Sequence, residues 1–158
     1  MRIKKFRLSH SVLGLLVLLV VQGALVYLFP VGLMAWLVLC FAIAGAATII
    51  YVATEVIEEV RNASHMLWLL SAVVAEFVLF FAFEYWFLIT ISPSSFPSLP
   101  SDLVSLLLHS IMVFVFNPLY LPGNFIGRAL LLINTTSALG LVLFILQNIW
   151  QFRHPSQQ

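Results

Sequence analysis

Two carboxylates stand inside a long apolar run of the sequence. Glu76 and Glu84 fall inside Met66–Ile91, a run otherwise made largely of aliphatic and aromatic residues. A charge at the centre of a lipid-embedded helix costs about 2.5–3.5 kcal/mol on insertion scales, and such residues usually serve a function. On a helix the two lie about two turns apart, rotated by about 80° at 100° per residue. Two uses fit them. They can line a polar path that attracts protons or cations, or each can be paired and hold helices together. The candidate partner of Glu84 is Arg128, at a comparable depth below the same surface.

The other polar residues in apolar surroundings are fewer and plainer. Asn134, Thr135, Thr136 and Ser137 follow one another in the last apolar run, where amides and hydroxyls commonly bond one helix to the next; on a pore-lining helix they would wet the pore instead. His109 stands alone in a short apolar stretch and reads as a hydrogen-bonded structural residue. Glu55 and Glu59 share a helix face at a spacing of four, but with His65 they make a poor metal-ligand set. Glu58 and Arg61 read as a solvated pair. Tyr85, Trp36, Trp86 and Trp150 lie near the ends of apolar runs, where amphipathic rings anchor at the interface, and Gln147 and Asn148 mark the cytoplasmic interface. Cys40, the single cysteine, reads as a small core hydrophobe. There is no Ser/His/Asp set, no His-rich cluster and no cofactor motif. Neither an enzyme nor a bound cofactor or metal is expected.

The elements that position these residues are helices in lipid. Of 158 residues, 63% are hydrophobic and 8% charged, with a mean hydropathy of +1.12. Soluble domains average roughly 25% charged residues, and a chain of this size folded in water could not hide so much apolar surface. About 20 apolar residues span a bilayer core. Ser11–Phe29 and Val31–Ala53 supply two spans with a tight turn at Phe29-Pro30-Val31-Gly32, because Pro30 cannot continue the hydrogen-bonded ladder. Ala42, Ala44, Gly45, Ala46 and Ala47 suit close approach of helix backbones. A short water-exposed connection, Thr54–His65, leads to the third span, Met66–Ile91. Ser92–Ser101 holds three prolines and five serines and reads as an irregular extramembrane loop. Ser101-Asp102 then caps a short helix, Leu103–Phe116. The stretch Asn117–Asn124, with two prolines and a glycine, breaks it, and Phe125–Phe152 is the last span.

Arg2, Lys4, Lys5 and Arg7 precede the first apolar run. That run is longer than the about 7–15 residues of a signal peptide, so an uncleaved first helix is expected. These residues and Arg61 place the N-terminus on the cytoplasmic side. The charge rule does not decide whether the short helix crosses: six of the seven basic residues fall inside either way. Length favours a re-entrant path, since 14 residues at 1.5 Å reach about 21 Å against a core of about 30 Å.

A helix, a short helix, a broken loop and a further helix, in that order, resemble the pore domain of tetrameric potassium channels. The likeness runs from Asp102 to about Gly140. Asp102 opens the short helix, Leu106-Leu107-Leu108-His109-Ser110 and Phe114-Val115-Phe116 follow, and Pro122 and Gly127-Arg128 lead into the last helix. Residues Phe116, Asn117, Pro118, Leu119 and Tyr120 occupy the positions of the family's Thr-Val-Gly-Tyr-Gly filter, whose glycines let successive carbonyls face the ion. Both glycines and the threonine are absent here, and Pro118 restricts itself and Asn117. The resemblance implies a pore-like unit with a degenerate filter and Gly140 as an inner-helix hinge.

The expectation is therefore an all-α polytopic membrane protein of four transmembrane helices and one short re-entrant helix. Residues 1–65 form an N-terminal hairpin with its connection, and residues 66–158 the pore-domain-like part. Two functions from different classes follow. One is a channel-like protein conducting cations through a homotetrameric pore; the other is a small scaffold or accessory subunit of a larger membrane complex. The lipid bilayer is the expected surrounding, a bacterial inner (plasma) membrane the expected location, and no nucleic acid the expected partner.

Overall fold

A computed structural model describes residues 2–28, 31–58 and 63–153. All regular structure among them is helical: α1 (Arg2–Leu28), α2 (Val31–Glu58), α3 (Ala63–Ile91), a 3₁₀ turn at Pro93–Ser95, α4 (Leu103–Phe114) and α5 (Phe125–Arg153). Three segments are long and apolar enough to cross a membrane: Gly32–Thr54, Met66–Ile91 and Phe125–Trp150. At 1.5 Å per residue each exceeds the about 30 Å of a bilayer core. The chain is an integral membrane protein. Val12–Leu25 and Leu103–Phe114 are shorter apolar stretches.

Helix boundaries differ from expectation where good helix formers adjoin the apolar runs. α1 begins at Arg2 rather than Ser11, because Arg and Lys propagate a helix well and nothing up to Ser9 breaks it. α2 runs on to Glu58 and α3 starts at Ala63. Thr54–Glu58 and Ala63–His65 of the expected connection are thus helical; residues 59–62 lie outside the described residues, as do Phe29 and Pro30 of the expected turn. The proline- and serine-rich stretch is not wholly irregular either. Pro93 starts a 3₁₀ turn, where its fixed φ and missing N–H cost nothing.

α3 is the hub, with α2 on one side, α4 and α5 on another, and α1 alongside. Gly45 of α2 sits so close to Phe80 that a Cβ there would overlap the ring. Ala42, Ala46, Ile49 and Ala53 continue the same buried face, so the small residues of α2 do let two helices approach closely. Phe77, Phe81 and Phe80 fill the adjoining core with tilted and edge-on ring contacts at 4.7 and 5.5 Å. Cys40 is exposed on the surface of the chain rather than in this core. It lies one residue beyond buried Leu39 on the opposite side of the helix's packed face.

α4 descends beside the upper half of α3. Ser110 Oγ donates to the Val78 carbonyl at 2.9 Å, and Phe114, the last residue of α4, meets Phe77 at 5.7 Å between ring centres. Twelve residues give α4 a length of about 18 Å. Below its end an apolar groove of about 540 Å³ opens between the lower parts of α3 and α5, lined by Leu70, Val74, Val78, Ile111, Ile145 and Ile149 among others.

Candidate functional site

The segment between α3 and α5 is the most elaborately bonded part of the chain. Ser92 N–H continues the helix ladder to Leu88, and Ser95 N–H closes the 3₁₀ turn on Ser92. That turn presents the Ser95 carbonyl, which accepts from Gly123 N–H at 2.9 Å. Asn124 then does two jobs. Its Oδ1 accepts from Gly127 N–H at 2.9 Å, capping α5, and its Nδ2 donates to Ser95 Oγ at 3.0 Å and to Ser94 Oγ at 3.3 Å. A Cβ at Gly123 would come to 2.5 Å from the Ser94 oxygen, and one at Gly127 would overlap the Ser95 oxygen. Both glycines are there so that α5 can start against the turn that ends α3.

Asp102 caps α4 as the sequence indicates, its Oδ1 accepting from Ser105 N–H at 2.9 Å. Hydrogen bonds from Ser105, side chain first and backbone second, hold the Asp102 carboxyl below the ordinary aspartate range. The other end of α4 closes two residues earlier than expected. Phe116 N–H bonds the Val113 carbonyl and Asn117 N–H the Met112 carbonyl at 2.9 and 2.8 Å, the paired bonds of a Schellman cap. The residue in the left-handed position is Phe116, with φ of 62°, where glycine is usual. The cap therefore takes up the first two filter-like positions, Phe116 and Asn117. Phe116, Asn117 and Leu119 are exposed and Pro118 is half-buried.

Tyr120 alone of the five loop candidates reaches inward to a buried histidine. The His109 ring is boxed by Tyr85, Tyr120 and Phe96, with centroids at 4.6, 5.5 and 5.6 Å. Both its nitrogens are buried without a hydrogen-bond partner among the described residues, so His109 is not the satisfied donor the sequence suggested. Tyr85 is wholly buried and is core rather than an interfacial anchor. Its hydroxyl accepts from Asn134 Nδ2 at 3.1 Å, joining α3 to α5. Asn134 is thus helix glue. Thr135 and Thr136 are not, since their hydroxyls return to carbonyls of their own helix, Leu131 and Leu132.

Glu84 faces the other way. Its Oε2 accepts from Gln22 Nε2 of α1 at 2.9 Å, both side chains being fully buried. Arg128 is exposed at the start of α5, and Glu84 takes Gln22 as its partner instead. Gln22 stands in the sequence as a lone amide in the apolar run of α1. Its signal was that a single amide in a lipid-bound helix needs a partner. Glu76 is half-buried. Gly140 is exposed, has open space around it and lies in unbroken helix. The side chains of Glu55, Glu59, Arg61 and His65 lie outside the described residues; among those described, no group of three His, Cys, Asp or Glu could hold a metal.

α5 is the least covered of the three long apolar helices. Only 22% of its apolar window is buried within the chain, against 44% for α2 and for α3. Its uncovered face carries Leu132, Thr136, Leu139, Gly140, Leu143 and Gln147. No family model matches the chain, and neither a curated protein nor a solved structure does.

Proposed function

We propose that the chain is a channel-like membrane protein whose residues 63–153 act as a pore-domain-like unit, with four copies surrounding a path for cations. In this reading α1, α2, α3 and α5 cross the bilayer and α4 is re-entrant. The observation that carries it is the bond from Gly123 N–H to the Ser95 carbonyl. It joins the residues just after α3 to those just before α5, which supports a path in which the segment between them enters and leaves at one face. The half-length of α4 and its end against Phe77 fit the same path. The uncovered face of α5 and the groove below α4 supply apolar surface for neighbouring copies.

The filter-like loop sets the expected selectivity. Discrimination among cations needs rings of carbonyls in defined positions. The Schellman cap at Phe116 and Asn117 and the fixed backbone of Pro118 leave no such ladder. Such a pore passes monovalent cations with little preference between K⁺ and Na⁺. The same cap favours one second reading, a non-conducting accessory subunit that keeps the pore-domain layout without its filter. Purified protein reconstituted in vesicles separates the two. The channel reading expects a tetramer by mass and cation flux that Asn117→Leu or Leu119→Trp alters. A tetramer or monomer silent to K⁺, Na⁺ and H⁺ gradients would leave the accessory reading.

A further inference from the structure

The bond between Gln22 and Glu84 leaves two oxygens over. Gln22 Oε1 and Glu84 Oε1 are both buried and both lack a partner among the described residues, on either side of one good bond at 2.9 Å. A carboxamide and a carboxylate meeting in this way offer donors at one oxygen only. A carboxamide and a carboxylic acid have one more donor, the acid O–H, and the unpartnered Gln22 Oε1 is an acceptor for it. Buried polar atoms are paired in nearly all proteins, and inside a membrane an unpaired one has no water to turn to. We propose that Gln22 and Glu84 form an intramembrane proton-binding site, in which one proton on Glu84 Oε1 is donated to Gln22 Oε1 and closes the pair into a two-bond ring.

Among the described side chains none places a cation beside this pair. Gln22 is the only ionisable or amide side chain among the described side chains of α1. On α2 the described side chains include Cys40, exposed, and Tyr51, also exposed, but no acid or base. On α3 itself Tyr85 turns to Asn134, and Glu76 is two turns away. On α4 His109 is enclosed by Tyr85, Phe96 and Tyr120, and Asp102 caps the far end. On α5 Arg128 is exposed. An ionised carboxylate with a single amide donor and no cation is the costly state in such a place. The proton adds a second bond to the Gln22–Glu84 contact, the buried side-chain hydrogen bond between α1 and α3 among the described residues. Its loss breaks one bond of the ring and leaves a bare charge against the apolar wall of α1.

Infrared difference spectroscopy of the whole chain in phosphatidylethanolamine–phosphatidylglycerol vesicles tests this. The expected result at neutral pH is a protonated-carboxyl C=O band that disappears in Glu84→Gln and shifts in Gln22→Leu. Raising the pH converts the band to carboxylate, and Gln22→Leu moves the pH at which it does so. A carboxylate band assigned to Glu84 at neutral pH overturns the proposal. So does a Glu84 band that responds to Na⁺ or Li⁺ instead of pH, which would make the site one for a small cation. Gln22→Leu keeps the test alive if Glu84→Gln does not assemble, and a C=O band that this variant leaves unmoved also overturns it.

Discussion

α3 carries two neighbours, Glu84 and Tyr85, that face different helices and are held in different ways. Tyr85 belongs to a connected region: Asn134 of α5 bonds it, His109 of α4 and Phe96 pack on it, and the bonds at Ser95, Gly123 and Asn124 lock the end of α3 to the start of α5 above. Glu84 belongs to a sparser one, where among the described side chains one bond, to Gln22, ties α1, whose outer face of Val12, Leu13, Leu16, Val17 and Val20 is uncovered. The difference is one of redundancy. In the first region each residue is fixed by several others, so position is over-determined; in the second, attachment hangs on apolar packing and one pair of atoms. Membrane helices associate through packing and hydrogen bonds rather than hydrophobic drive, so changes on the connected side are expected to cost more than changes at the contact of α1 with α3.

Glycines give the sharpest way to break this comparison. Gly127→Val pushes a branched side chain into the Ser95 oxygen and Pro122, and overpacking of this kind costs about 3 kcal/mol. Unfolding of the purified protein in mixed micelles should show that loss. Gly23→Ala on the sparse side meets only the Phe87 ring at 3.8 Å, an ordinary contact, and gains about 1 kcal/mol of helix propensity. Equal costs at the two positions would deny that the regions differ. Tyr85→Phe comes next. It leaves Asn134 buried with its donor unpaired, and the expected loss is about 1–2 kcal/mol by the same measurement.

Much of this contrast was visible in the sequence. The apolar runs and the Asp102 cap follow from composition and local chemistry, and the break after α4 from Pro118 and Pro122. The Asn124-x-x-Gly127 spacing is likewise a local cap signature, although its second role against Ser94 and Ser95 depends on residues some 30 positions away. What could not be read was pairing across helices. On the sequence Glu84 has Arg128 as its candidate partner; Gln22, 62 residues away, meets it only through the packing of α1 on α3. Tyr85 looked like an anchor because it lies near the end of a run. It is core because the loop and α4 fold back over that end of α3.

Two smaller effects sharpen the account of α4. Phe116→Gly removes a Cβ from a left-handed residue, and should stabilise the chain by about 1 kcal/mol in the same unfolding assay. If it destabilises, the Phe116 ring is held by contacts in the assembled protein. Asp102→Ala removes the α4 cap, with a small loss of stability at neutral pH. Because the Asp102 carboxyl titrates lower in the folded chain than in the unfolded one, its contribution is present above the ordinary aspartate range. It fades as the pH falls through the folded value. The difference between wild type and Asp102→Ala should therefore vanish in strong acid and nowhere else.

The central claim is that residues 92–124 leave and return at one face of the membrane. Single cysteines at Ser98 and Leu121, both exposed, in a Cys40→Ser background, can be labelled in intact cells with a membrane-impermeant maleimide. The account predicts that both react from the same side. Labelling of Ser98→Cys from one side and of Leu121→Cys only from the other would mean that α4 crosses, and would contradict it.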